Sequence, residues 1–387
     1  MLLLKNPDIY APAPASRADV LVAGGRIVRI EPGIRIADSY REAFDATGLI
    51  AVPGFIDGHV HMTGGGGEGG YATRTPELVL SDAIRGGITT IVGCLGTDGV
   101  TRSLAGLLAK ARGLDEEGIS TFMYTGYYAV PVRTLTGSIE QDLLLIDKVI
   151  GVGEIALSDH RSTQPTFDEF ARIAAEARRG GILSGKAGVV NVHMGDGRRG
   201  LALVKRILDE TEIPATQFLP THINRNPALF DEGTAYAKAG GLVDLTTSSV
   251  PAFFEEGEVK CSIGLRRMLE AGVAASQITF TSDGQGSLPS FDEQGRLKRL
   301  EVGRVTSLFA EVRDAVLDEH VPLGTALQAV TANPARILKL RGKGQLAAGA
   351  DADIVLLDSG TLEIRGVIAK GKWLMKDRNV LVKGTFE

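Results

Sequence analysis

The sequence predicts an α/β protein: a closed (β/α)8 barrel flanked by a small β domain that both chain ends build together. Between about residues 54 and 285, eight short apolar runs alternate with amphipathic helical stretches at roughly 30-residue spacing. Alternation of that kind implies parallel strands joined by crossover helices, and eight units suit a closed barrel better than an open sheet. The two chain ends lack it and read as short strands and turns. The expected division is therefore 1–53 with 342–387 as a small β-sandwich and 54–341 as the barrel.

In order along the chain, ADVLVAGGRIVRIEPG holds two β-rich runs joined by Gly24–Gly25, a hairpin signal, and FDATGLIAVPGF adds an extended segment. The eight barrel runs are GFIDGHVH, TTIVGCLG, TFMYTGYY, IGVGEIALSD, GVVNVHMG, TQFLPTHIN, GLVDLTTS and QITFTSDG. Helical stretches such as TPELVLSDAIRGG and FDEFARIAAEARRGG lie between them, several closing on glycine, which tolerates the positive φ of a helix end. After the eighth run the chain reads as helical from EVGRVTSLFAEVRDAVLDE to TANPARILKL, and the tail returns to strands.

Composition narrows the function. With 44% apolar and 23% charged residues the chain has the mix of an ordinary globular protein. A net charge of −5 offers no attraction to nucleic acid or to an anionic membrane surface. No stretch approaches the ~20 apolar residues of a membrane span, and MLLLKNPDIYAPAP lacks the basic region and the length of a signal peptide. Cys94 and Cys261 show neither metal spacing nor a disulfide framework, and read as buried thiols in a reducing, cytoplasmic compartment.

The chemistry concentrates at the ends of the barrel runs. His59 and His61 close the first; two residues apart on a strand, their imidazoles share a face and can converge on one point. Taken alone, such a pair is more often a surface or core pair than a metal site. His193 ends the fifth run, His222 the sixth and Asp283 the eighth, while Glu154 lies on the fourth. Barrel enzymes assemble their sites at this one face from the ends of different strands, so the six residues together point to a metal centre. The other two histidines read differently: His160 sits beside Arg161 near that face, and His320 ends a helix in solvent.

The order His-x-His, carboxylate, His, His, Asp and the closing GKGQLAAGADADIVLLD resemble the amidohydrolase superfamily. Longer stretches, GFIDGHVHMTGGGGEGGYATRTPE, TGYYAVPVRTLTGS, ALSDHRS, LPTHINRN, TSDGQGS and VKGTFE, are similar to its isoaspartyl dipeptidase family, nearly end to end. The resemblance implies a TIM-like metal-dependent hydrolase barrel with two divalent ions, zinc foremost, and hydrolysis of the β-aspartyl bond of small dipeptides by a metal-bridging hydroxide. His59, His61 and Asp283 would hold one ion and His193 and His222 the other. Asp283 would also shuttle the proton, and Tyr128 would donate to the developing oxyanion. Glu68, in the glycine loop, would take the substrate's α-ammonium. Arg161 and Arg225 would grip its carboxylates, with Thr97 and Ser287 as further pocket contacts. A homo-oligomer is expected.

In one respect the chain departs from that pattern. Where the family carries a carboxylated lysine bridging both metals, this chain has Glu154, preceded by one extra residue. No carboxylated lysine is expected, because glutamate is already anionic and its two oxygens can bridge. Its side chain is shorter, so the strand must come closer or bulge. Lys148, expected in the preceding helix, and Lys186, before the fifth strand, are poorly placed as substitutes. Two other readings compete: another amidohydrolase, such as a cyclic amidase or N-acyl-amino-acid deacylase, and a non-catalytic barrel scaffold. A neutral ring would need no grip from Glu68, Arg161 and Arg225, and a scaffold would have lost its ligands.

Overall fold

The computed structural model describes residues 1–37, 42–292 and 294–387. Each of the eight expected runs forms a strand: β1 (Phe55–Val60), β2 (Ile88–Gly93), β3 (Ser120–Thr125), β4 (Val149–Leu157), β5 (Val189–Met194), β6 (Phe218–Thr221), β7 (Val243–Thr246) and β8 (Ile278–Thr281). Strands β1 to β6 pair in sequence order, all parallel, and β7 pairs with β8 in the same sense. Two contacts close the ring. Ile223 N donates to Asp244 O across β6 and β7, and His61 N donates to Gly284 O across β1 and the chain after β8.

Strands buried on both faces read as continuous apolar runs, and here the two faces do different things. Outward-facing residues such as Ile91, Met123, Val190, Val192 and Phe280 pack under the helices. Inward-facing Ile56, Val92, Tyr124, Ile150, Val189 and Leu219 form a plug with Ile337 and Leu338 that fills the barrel at its N-terminal end. Tyr124 caps this plug by donating its hydroxyl hydrogen to Gly58 O. With that end filled, polar chemistry collects at the C-terminal mouth.

The helix Phe167–Ser184 shows how the outer ring is set. Thr166 caps it in a reciprocal box with Glu169, and Gly185 ends it in the left-handed region. Its inner face carries Phe170, Ile173, Ala174 and Ala177; Phe170 meets Phe218 of β6 with ring centroids 5.4 Å apart. Burying each such aromatic side chain contributes roughly 1.5–3 kcal/mol.

Both termini build the remaining β structure. One sheet orders Arg26–Glu31, Asp19–Ala23, Leu2–Lys5 and Glu42–Asp45. The other orders Asp8–Ile9, Leu49–Pro53, Ile354–Asp358, Ile364–Ala369, Lys372–Lys376 and Asn379–Val380. Leu2, Leu4, Val20 and Val22 of the first pack on Ala51, Ile354, Leu356 and Ile368 of the second. Gly24 and Gly25 make the expected hairpin turn between antiparallel strands. Among the described residues no helix is long and apolar enough to cross a membrane.

Two local expectations are corrected. The segment after β8 does not pass straight into helix: Ser287–Phe291 and Leu297–Val302 pair as an antiparallel hairpin before the helix Ser307–Leu317. Its half-exposed strands contain Pro289 and no strong apolar alternation, so nothing in the pattern marks them. Lys148 lies in the turn before β4 rather than in the helix Ile139–Leu145.

The loop after β3, which carries Tyr128, hangs on the buried carboxylate of Asp142. That side chain accepts from Thr125 Oγ1, Leu135 N, Thr136 N and Thr136 Oγ1. Asp142→Ala should therefore cost roughly 3 kcal/mol, because several donors lose their acceptor at once. The midpoint of chemical unfolding measures this; a midpoint matching the wild type would show that the loop does not depend on Asp142.

Candidate metal centre

His59 and His61 leave β1 with both rings at the barrel mouth, centroids 5.4 Å apart. His193 ends β5. His222 and Asp283 follow β6 and β8 at φ +62° and +51°, left-handed conformations uncommon for non-glycine residues. Such backbone is tolerated where the surroundings hold it in place, and it clusters at functional sites. All six strand-end residues singled out above are buried, and the structure brings them together.

Glu154 sits at the centre. Its Oε2 lies 2.9 Å from His193 Nδ1, 3.5 Å from His59 Nε2 and 3.6 Å from His222 Nε2, while Oε1 lies 3.5 Å from His61 Nε2. The extra residue before it forms a bulge. Val152 pairs with Val190 and Ile155 with Val192, so three steps along β4 match two along β5. Gly153 occupies the bulge at φ +144°, where a Cβ would stand 2.5 Å from Asn191 O. Beyond it, Ala156 N donates to Tyr128 O and so fixes the tyrosine beside Glu154.

Several partners orient the rings. Asn191 Oδ1 stands 3.1 Å from His59 Nδ1, and Thr246 Oγ1 stands 2.6 Å from His222 Nδ1. Asp57 accepts from His59 N and from both the amide and hydroxyl of Ser282, which ties β1 to the backbone carrying Asp283. Such outer contacts set which nitrogen of each imidazole is free. Burial pushes His222 down to about 3, which keeps it neutral with a lone pair to give.

The donor set fits divalent cations. Among the described residues His59 Nε2 and Asp283 Oδ1 find no hydrogen-bond partner, though both are buried; Oδ1 lies 2.9 Å from His61 Nε2 but lacks hydrogen-bond geometry. Lone pairs facing a common point are what a cation satisfies. Burial opposes charge on His59, yet Cys94, Glu154 and Asp283 together raise it to about 10. The cluster thus carries negative charge that positive charge must balance, and an ion does so while using the lone pairs. Among the described residues two overlapping groups lie within ligand reach: His59, His61, Cys94 and Glu154, and Glu154, His193 and His222.

Above the histidines stands a second, charged layer. Glu68 Oε1 accepts from Thr97, Ser287 and Arg161, at 3.3, 2.9 and 3.3 Å, whereas its Oε2 is buried with no partner among the described residues. Thr97 and Ser287 therefore position Glu68 as well as line the cavity. Arg161 is held by a fork to Asp159 and reaches Tyr128 Oη at 3.3 Å. Tyr128 Oη is also 2.8 Å from His193 Nε2. Burial pushes its phenol well above the ordinary value, so it remains an O–H donor. Arg225 lines the same cavity with its Nε unpartnered. That cavity continues into a wider chamber of about 220 Å³ walled by Arg225, Phe253, Glu258 and the hairpin residues Ser287 to Phe291.

The glycine loop has a structural reason. Gly64 and Gly66 adopt positive φ, and a Cβ on either would fall 2.4 Å from Thr75 O or 2.6 Å from Thr73 O. The loop folds tightly back on residues 73–75, and Gly65 and Gly66 leave the cavity wall without side chains. His160 is exposed and packs edge-on against Phe291, and His320 is exposed. Lys148 pairs with Asp115, and Lys186 donates to Leu143 O and Ile146 O. Three residues escaped the sequence reading. Cys94 looked like core, Asp57 like part of a strand, and Asp159 was one of several charges in SDHR.

This fold and site define a metal-dependent hydrolase. The chain belongs to the amidohydrolase family, whose model matches residues 50–374. It is similar to the solved β-aspartyl dipeptidase of Fervidobacterium islandicum AW-1 in complex with β-Asp-Leu dipeptide, at 47% identity, 98% coverage of each chain and a TM-score of 0.92. Among curated proteins, the dihydroorotase of Leifsonia xyli subsp. xyli is 27% identical over 89% of this chain and 84% of its own. A D-hydantoinase structure shares the fold, with 19% identity, coverage of 99% and 97%, and a TM-score of 0.68.

Proposed function

We propose that the chain hydrolyses the β-aspartyl peptide bond of dipeptides. The observation that carries this reading is the second layer. A buried, half-satisfied carboxylate on Glu68 and the guanidinium groups of Arg161 and Arg225 line one cavity with the histidine cluster. They suit a small zwitterion with one ammonium and two carboxylates. Similarity to a β-aspartyl dipeptidase with β-Asp-Leu supports the same substrate class. A cyclic amidase substrate has no free ammonium for Glu68.

In this reading His59, His61 and Asp283 would hold one ion and His193 and His222 the second, with the Glu154 carboxylate shared between them in place of a carboxylated lysine. Divalent ions held there, zinc foremost, would supply a Lewis acid for the carbonyl and a water made nucleophilic near neutral pH. Glu68 orients the substrate through its ammonium, and Arg161 and Arg225 fix its carboxylates. Tyr128 donates to the carbonyl oxygen as negative charge develops on it. Asp283 takes the proton of the attacking water and passes it to the leaving amine. The terminal segments 1–53 and 342–387 serve as the supporting β domain.

The test is a comparison of β-Asp-Leu, α-Asp-Leu and hydantoin on metal-loaded protein. Turnover confined to β-Asp-Leu is expected. Comparable rates on both dipeptides, or preferential ring opening, would overturn the assignment. Glu68→Gln should lower kcat/KM for β-Asp-Leu by about a hundredfold or more, because the ammonium loses its counter-charge in a desolvated site. Acetylating the substrate amine should damage the wild type and matter little to the variant. Equal sensitivity in both would mean that Glu68 does not read the amine.

A further inference from the structure

We propose that Cys94 is a further ligand of the metal centre, its thiolate binding the ion held by His59 and His61. The inference rests on the metal-centre reading above and adds a sulfur donor to it.

Cys94 follows β2 directly and is fully buried. Its N–H donates to Val60 O, which locks it beside the His59–His61 segment. The Sγ stands 3.9 Å from His61 Nε2 and 4.0 Å from Nδ1. One donor atom each from His59, His61, Cys94 and Glu154 lies within 4.8 Å of every other. On a zinc-like ion with bonds of about 2.3 Å to sulfur and 2.0–2.1 Å to nitrogen, neighbouring S and N donors stand roughly 3.1–3.6 Å apart in four- to six-fold coordination. Cys94 already sits close to that separation, beside the buried and unpartnered Nε2 of His59.

The surroundings leave room for this. Gly96, two residues on, carries no side chain where a Cβ would meet the His61 ring at 2.9 Å and Glu154 Oε1 at 3.3 Å. Glu154 directs Oε2 at three histidines and only Oε1 at His61. Cys94 belongs to the plug that fills the barrel, so its thiol meets the His59–His61 pair from beneath. On binding, the S–H bond breaks, a sulfur–metal bond forms, and the proton leaves to solvent. A soft thiolate in an otherwise imidazole and carboxylate site also favours zinc or cobalt over manganese or magnesium.

Cobalt(II) reads this directly. Metal-stripped protein rebuilt with Co²⁺ should show visible bands from histidine and carboxylate coordination, together with a near-ultraviolet sulfur-to-cobalt charge-transfer band. Cys94→Ala should lose the charge-transfer band, keep visible bands, and bind cobalt about tenfold more weakly or worse; Cys261→Ala should keep all of it. Bound cobalt without the charge-transfer band in the wild type would overturn the thiolate ligand alone. Persistence of the band in Cys94→Ala would do the same. Failure of the wild type to bind cobalt would overturn this inference and the metal-centre reading together. The wild-type spectrum decides even if the alanine variant folds poorly.

Discussion

Asp283→Asn is expected to fold normally and to lose about three orders of magnitude in kcat on β-Asp-Leu, within the range general acid–base groups contribute. The carboxylate is buried at 5% exposure, with Oδ1 free of any hydrogen bond and turned toward His59 and His61. That unpartnered oxygen is available to take up a proton. Asparagine keeps the shape and an oxygen donor but cannot accept and return a proton, so KM should change far less than kcat. Metal content must be measured on the same sample, since Asp283 is also placed to hold an ion. An Asn variant with bound metal and a near-normal kcat would remove Asp283 from proton transfer.

The second large effect concerns Glu154. Glu154→Ala should lose most of its bound metal, because this one carboxylate approaches all four histidines. Burial works against its charge, but the imidazoles of His59 and His193 hold it well below the usual carboxylate range. It is therefore a permanent anion that needs no CO₂ to form. Metal-stripped wild type rebuilt with zinc in CO₂-free buffer should recover as fully as with bicarbonate. Acetate or formate should restore part of the alanine variant's metal binding. Bicarbonate dependence of the wild type, or full metal content in Glu154→Ala, would show that another group bridges.

The barrel was legible because parallel strands buried on both faces leave unbroken apolar runs, each bounded by turn residues. The placement of His59, His61, His193, His222 and Asp283 followed from the same runs, since each stands at a run's end. The bulge at Glu154 was foreshadowed by one surplus residue. What escaped detection shares a physical cause. Cys94 has the burial of an ordinary core thiol, and only the fold brings β2 against the histidines of β1. Asp57 and Asp159 act through partners distant in sequence, Ser282 and His193. The hairpin after β8 is half-exposed and carries a proline, so it lacks the alternation that reveals a strand. It nevertheless supplies Ser287 to Glu68 and walls the outer chamber.

The bulge in β4 also constrains how such a site can evolve. A carboxylate on a short arm reaches the histidines because Gly153 gives the backbone an extra step. Deleting Gly153 would leave Val152 followed directly by glutamate, still on the inner face but withdrawn from the cluster. Replacing Glu154 with lysine while keeping the bulge would drive a longer arm into space that His61 and His193 already fill. If Glu154 bridges the ions as proposed, exchanging it for a lysine-type bridge takes two coordinated changes, a deletion and a substitution, and either change alone leaves an arm of the wrong length. Lineages carrying either form would be expected to hold it as a linked pair, with glycine and glutamate gained or lost together.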